Sequence, residues 1–489
     1  MKRLRNVFNR SFLLLFFIVA VVGVTTVTKD CFWAGILAFP LIMLLLKSKL
    51  SAPVNVKKYL WPMLQLVSTC VMVYVVFKME VNFSWDWGQL IKSAYECAKG
   101  EEISLISYYA RYPNNRFWLT VLTGLFKCVL FFAKGASIGA CKRVTFLLSV
   151  AMVQLTVFII YQSARLLWSA GKAFFVGCVA LLFLPYYLYA QFFYTDIPGV
   201  FLIASTVYLY LRCKKTEDPK KQLWLLGAIG ALSALIYQVK IMGMVITIAI
   251  VIDLILTTDS LKKVKALLVR FAALVLALVC CVLVTNAITE KCVPISDELY
   301  NKYEFPYSHW VMMGLKNSGS YNQPDVDFTI RAGDYDEKFD ANVSEIRKRI
   351  AEKGALGMVE HVLFTKTVRT WGNDNLAGAD YVHRYTQNTD SWVYDVLALD
   401  GDKAVIRDVY TGIYHIFMLV GILLSAVFAV KNKTFDPLLF CRIALFGLIV
   451  FLMIWECNSR YLLIVSPLLL LSSCDGWMKG IRAFREKSF

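Results

Sequence analysis

The sequence predicts an all-α membrane bundle of about twelve spanning helices, carrying a mixed, mainly helical domain on the extracytoplasmic side. Three observations lead there. Of 489 residues, 58% are hydrophobic and only 18% charged, too apolar for water to be the main solvent. The long Leu, Val, Ile and Phe runs lack the alternation of a barrel strand, and lipid tolerates only elements that satisfy their own backbone hydrogen bonds. The formal net charge of +17 is concentrated in short Lys/Arg clusters between apolar runs. That is a topology signal rather than a nucleic-acid footprint, and no nucleic-acid partner is expected.

The first ten residues, MKRLRNVFNR, hold four basic side chains and no acid. The apolar stretch 11–28 after them reads as a retained signal anchor, because no small-x-small cleavage site follows. A span needs roughly 20 apolar residues and basic loops stay in the cytoplasm. On these rules 11–28 runs outward, 31–46 returns to the loop with Lys47, Lys49, Lys57 and Lys58, and 59–77 runs outward again. The stretch 117–132 is apolar enough to span, but counting it would put the Arg212–Lys221 and Lys262–Lys265 clusters outside; it is read as a juxtamembrane or re-entrant helix. Further spans follow at 144–161, 174–191, 197–211, 223–239, 241–256 and 271–288, and last at 409–430, 438–455 and 461–474. Both termini are expected in the cytoplasm of a multi-pass cell-membrane protein.

Three regions result: a transmembrane module over 1–288 with an external loop at 78–143, an extracytoplasmic domain over 289–408, and C-terminal spans with a basic tail over 409–489. In the external domain, helical spacing over 341–353 suggests a helix capped by Asp340 and stopped by Gly354, with a second helix reaching Thr370. Glu360-His361 lacks the second histidine of a zinc-protease helix. The 13 cysteines lie mostly inside apolar runs and form no CxxC pair, so they read as packing residues. Cys97 and Cys292 fall in external stretches, where pairing is open to them. No metal site, phosphate loop or internal repeat is visible.

Four features converge on the outer membrane face. Asp86 stands between Trp85 and Trp87, which suits a sugar site because indole faces stack on sugar C–H surfaces while a carboxylate takes a hydroxyl proton. It reads equally as a capping acid beside interfacial tryptophans. Tyr112-Pro113-Asn114-Asn115 is turn chemistry whose amides also suit sugar hydroxyls. Tyr194-Thr195-Asp196 opens a later helix, where the acid suits the helix dipole. Finally, Lys240 interrupts an apolar run and Arg460 follows Glu456 at the last hairpin. Ionisable groups at such depth are expensive unless paired, so the choice lies between snorkelling or local pairing and binding an anionic lipid phosphate.

At these residues the sequence resembles the GT-C superfamily of membrane glycosyltransferases, which includes protein O-mannosyltransferases and the aminoarabinose transferase of lipid A. The finer pattern resembles Gram-positive members, in Tyr112 to Asn115, Tyr194 to Asp196, the Lys240 turn, His309 to Leu315, and Glu456 through Arg460. The chain departs from the simplest members in having two further spans before the Asp86 loop. The resemblance implies inverting transfer of a hexosyl or pentosyl group from a polyprenyl-phosphate donor to a glycan, lipid or protein acceptor. Asp86 and Asp196 would be catalytic, Lys240 and Arg460 would hold the donor phosphate, and Trp85, Trp87, Tyr112, Asn114, Asn115, Tyr194, His309 and Glu456 would bind sugar or acceptor. A divalent metal is optional. The competing classes are a transporter or flippase, expected to place ionisable groups near the midplane in paired repeats, and a polysaccharide polymerase or ligase. Two Asn-x-Ser sequons, at Asn82 and Asn342, carry no weight outside a eukaryotic host.

Overall fold

A computed structural model describes residues 2–47, 54–258, 264–431 and 436–487. Among these, eight helices are long and apolar enough to cross a membrane: Arg3–Asp30, Tyr59–Met79, Pro113–Phe132, Ile138–Leu167, Asp196–Lys215, Pro219–Val239, Val264–Cys292 and Ala404–Lys431. Shorter apolar helices lie at Phe32–Leu46, Ala170–Leu181, Ile241–Thr257 and Leu439–Ile454. Among the described residues there is no strand, only an isolated bridge between Val81 and Thr386.

The Pro219–Val239 helix packs along Val264–Cys292, Asp196–Lys215 lies between it and Ile138–Leu167, and Ala404–Lys431 packs against both the N-terminal helix and Ser466–Lys487. Only 6% of the apolar window of Val264–Cys292 is buried, which assigns most of its surface to lipid. Without a hydrophobic drive between spans, close backbone approach supplies the association. Gly421 and Gly476 illustrate it: a Cβ on Gly476 would stand 1.8 Å from the Gly421 carbonyl oxygen, so any larger side chain would force these helices apart.

The expected span at 174–191 is not one helix. Ala170–Leu181 stops, and a short helix, Pro185–Tyr189, follows. Proline has no N–H to donate and its ring crowds the preceding turn, so Pro185 starts a helix instead of continuing one. The last expected span, 461–474, becomes a single turn at Ser459–Leu462 followed by the longer helix Ser466–Lys487.

The stretch 117–132, expected to be juxtamembrane, lies in a helix that is itself long and apolar enough to span, Pro113–Phe132. Arg116 Nη2 donates to the Val293 carbonyl, just past one bundle helix, at 2.7 Å. Beyond the other end, Tyr95 donates to the Ala136 carbonyl at 2.9 Å, and Lys142 Nζ donates to the Val81 carbonyl at 3.1 Å.

The segment after Cys292 forms a cap of mostly short helices packed against the bundle. The helix expected at 341–353 is longer, Tyr335–Glu360, and its cap is Asp334, not Asp340: Asp334 and Glu337 form a reciprocal capping box that outcompetes the later acid. Gly354 is a kink (φ 61°, ψ −178°) rather than the end. Asp325, bound by Arg349 at 2.8 Å through both Nη atoms and by Lys316 at 3.1 Å, ties three of these elements together. Burial works to raise its pKa, but these cations prevail and hold it below the usual carboxylate value. The cap is not detached from the bundle, since Asn82 N donates to the Tyr385 carbonyl at 2.8 Å and Gln387 N to the Glu80 carbonyl at 3.1 Å. Cys97 and Cys292 are both free thiols.

Candidate functional site

Asp86 is the second residue of the helix Trp85–Lys99, and its carboxylate accepts from side chains rather than capping the helix. Tyr108 OH donates to Oδ1 at 2.7 Å, and Tyr194 OH lies 3.4 Å from Oδ2. Buried Asn115 closes a ring behind them: its Nδ2 donates to Tyr108 OH at 2.8 Å, and its Oδ1 accepts from Tyr194 OH at 3.1 Å. Each phenol has one proton. Because Asn115 donates to Tyr108, that proton is directed to Oδ1, and because Asn115 lies nearer to Tyr194 than Oδ2 does, Oδ2 keeps its lone pairs. Burial, reinforced by the Asp86 charge, raises the pKa of Tyr108 well above its ordinary value, so it stays a donor.

A second charged group adjoins the first. Asp196 opens the helix Asp196–Lys215 and is almost fully buried; Lys240 Nζ binds its Oδ1, and Arg460 Nε lies 3.7 Å from its Oδ2. Lys240 is available because the chain is extended at that residue (φ −161°, ψ 97°), between the helix Pro219–Val239 and a single turn at Ile241–Met244. Arg460 sits in an aromatic cage, its guanidinium carbon 5.1 Å from the Trp85 ring, 5.2 Å from Tyr381, 5.8 Å from Tyr194 and 5.9 Å from Tyr461. It donates to Tyr381 OH at 2.8 Å, while its Nε is buried with no hydrogen-bond acceptor among the described residues. Lys240 Nζ stands 5.0 Å over the Tyr461 ring, whose hydroxyl donates to buried Glu456. Glu456 also accepts from the backbone N–H of Tyr321 at 3.2 Å, fixing the cap to the last hairpin.

Tyr194 joins the two halves, with its hydroxyl beside Asp86 and its ring beside Arg460. Trp85 does the same with its ring, 4.9 Å from Tyr194 and 5.3 Å from Tyr381. Its backbone is left-handed (φ 40°), a strained conformation for a large residue. The indole lies in the cage, and its Nε1 is buried with no acceptor among the described residues.

Not every candidate joins this cluster. Trp87 is fully buried, stacked 6.2 Å from Phe83 and 6.4 Å from Phe146, and serves the core. His309 is also fully buried; its Nδ1 pairs with Thr329 at 2.7 Å inside the cap. Its neighbour Trp310 is the residue near Tyr112, with ring centroids 6.2 Å apart. Asn114 is exposed and reaches Asn115 only at 3.4 Å. Tyr108, Tyr381 and Tyr385 belong to the cluster but carry no sequence signal beyond being aromatic, whereas Trp310 lies within the His309 to Leu315 pattern. Among the described residues no three His, Cys, Asp or Glu side chains converge as metal ligands.

The sequence pattern of the conserved hypothetical integral membrane proteins matches residues 14–478, nearly the whole chain. The chain belongs to this family. No curated protein matches it. Two solved structures similar to this family member are both of the archaeal oligosaccharyltransferase AglB from Archaeoglobus fulgidus. One is in complex with an inhibitory peptide and a dolichol-phosphate, at 14% identity and a TM-score of 0.45 over 86% of this chain and 50% of that one. The other is tethered to an acceptor peptide containing the NVT sequon via a disulfide bond, at 14% identity and a TM-score of 0.46 over 86% of this chain and 49% of that one. The family member thus spans about half the length of these structures.

Proposed function

We propose that this protein is a GT-C-type inverting glycosyltransferase that moves a sugar from a polyprenyl-phosphate donor to a hydroxyl-bearing acceptor at the extracytoplasmic membrane face. The observation that carries the reading is the shared aromatic wall: Asp86 accepts from Tyr108 and lies beside the Tyr194 hydroxyl, and the Tyr194 and Trp85 rings also meet Arg460, which shares Asp196 with Lys240. The cluster joins the bundle, through Asp196 and Lys240, to the cap, through Tyr381 and Tyr321, so in this reading a lipid phosphate would reach it from the membrane while an acceptor approaches from water.

In this mechanism Asp86 Oδ2 takes the proton of the acceptor hydroxyl as its oxygen attacks the anomeric carbon. The bond from that carbon to the phosphate oxygen breaks on the opposite face, inverting the centre, and the electron pair leaves with the polyprenyl phosphate. Lys240 and the unsatisfied Arg460 Nε meet the charge that develops there. Asp196 holds both cations in place before the donor arrives, and Glu456 orients Tyr461 beneath them. Trp85, Tyr112 and Asn115 frame sugar and acceptor. No step passes through a metal.

The test is a purified preparation given a polyprenyl-phosphate sugar as sole donor, with release of polyprenyl phosphate measured. Transfer that depends on Asp86 supports the reading. Release of no lipid phosphate, or a requirement for a diphosphate-linked glycan, overturns it in favour of a transporter or a polymerase.

A further inference from the structure

A second charged cavity lies at the opposite end of the same helices. The helix Asp196–Lys215 begins at the acidic site and ends about 30 Å away at 1.5 Å per residue, where it turns into Pro219–Val239. There a cavity of about 380 Å³ is lined by Leu166, Arg212, Lys215, Lys221, Trp224 and Leu225. The volume falls within the usual range for small-ligand sites.

Three cations face it, and little opposes them. Lys214, between two of them in sequence, turns inward and is neutralised by buried Asp253 at 2.6 Å. Arg212 and Lys215 turn outward and form no ion pair among the described residues, while Lys221 meets Asp218 only at 3.8 Å. That carboxylate is already engaged, accepting from the backbone N–H groups of Lys220 and Lys221 at the start of its helix. Trp224 is 82% exposed beside them, although it is the largest apolar surface on its turn. An indole left uncovered next to a ring of cations matches the membrane interface, where a phosphate sits at the level of the charges and acyl chains lie below.

We propose that this cavity binds the anionic phosphate headgroup of a membrane phospholipid, with Arg212, Lys215 and Lys221 on the phosphate and Trp224, Leu166 and Leu225 against its acyl chains. The site is separate from the acidic groove and stands or falls independently of the proposed transferase reaction. A free phosphate ion shares the headgroup chemistry, but it would make no use of the exposed indole.

The full-length protein is reconstituted in vesicles of brominated phosphatidylglycerol or brominated phosphatidylcholine diluted in unbrominated phosphatidylcholine, and quenching of Trp224 is read as the difference between wild type and Trp224→Phe. Each cation near the surface contributes about fivefold to anionic-lipid affinity, so we expect at least about a tenfold preference for the anionic lipid. The preference should vanish in R212Q/K215Q/K221Q and persist in R212K/K215R/K221R, all of which alter exposed side chains. Equal quenching by the two lipids, or a preference unchanged in the glutamine variant, would overturn the proposal. So would loss of the preference on adding inorganic phosphate but not chloride at equal ionic strength, which would make the ligand a free ion.

Discussion

Replacing Asp196 by asparagine tests whether the buried charges form one electrostatic unit. Its carboxylate is 3% exposed and faces Lys240 at 14% and Arg460 at 11% exposure. Removing one partner of a buried pair costs about 3–5 kcal/mol, because the survivor remains buried without compensation, whereas replacing both with apolar groups is often neutral. A destabilisation of 1 kcal/mol lowers a melting point by roughly 2–4 °C in a domain of 150–250 residues. The shift per kcal/mol shrinks as the chain lengthens, so in this chain of 489 residues Asp196→Asn should melt on the order of 5–10 °C below wild type in detergent, followed by tryptophan fluorescence. The double variant Asp196→Asn with Lys240→Met should regain most of that loss, since Arg460 then keeps its cage and the nearby Glu456. Equal losses in the single and double variants, or no loss in the single one, would refute the assignment of Asp196 as the counter-ion of both cations.

Asp86→Asn should lower transfer by about 100-fold to 10,000-fold, the usual contribution of a positioned base, with an unchanged melting point; full activity would remove Asp86 from that role. The two neighbouring tryptophans should separate: Trp87→Ala should cost about 3–5 kcal/mol of stability as a core truncation, seen in thermal melts, while Trp85→Leu should spare folding and impair transfer. Burial lowers the pKa of His309 to about 4, against the opposing charge of Asp325, from an ordinary 6.5. The unfolded chain therefore binds the extra proton between these values, so stability is full above pH 6.5 and falls as the pH drops toward 4, by about 3 kcal/mol for this group. His309→Gln should flatten that part of the melting-point profile, and an unaltered profile would show that His309 does not set it.

The sequence disclosed what departs from its background. Lys240 is legible because an ion in an apolar run needs an explanation, and Asp86, Asp196 and Arg460 because each charge stands beside aromatic or helix-opening residues at the ends of spans; the structure brings all four into one cluster. Tyr108 and Tyr381 are not legible, since they are two of 25 tyrosines and meet their partners across 22 and 79 residues. Trp85 and Trp87 read alike in sequence, but helix rotation sends one into the groove and the other into the core. Hydropathy located most of the spans, yet it averages over a window and so passed over the break at Pro185. For the same reason the start of the Tyr335–Glu360 helix was misplaced: its capping box is a local hydrogen-bond pattern, invisible to apolar spacing.

The break at Pro185 leaves carbonyl groups without helical partners, and phenols meet them, two from the helix Ala404–Lys431 and one from the short helix that follows the break. Tyr414 donates to the Val179 carbonyl at 2.7 Å, Tyr187 to Leu181 at 3.0 Å and Tyr410 to Leu182 at 2.5 Å. A discontinuous helix inside a bilayer thus carries its own hydration, delivered covalently on aromatic rings. Trading such a tyrosine for phenylalanine preserves shape and apolarity but dehydrates a distant backbone, so at these positions a single oxygen atom matters more than the ring that presents it.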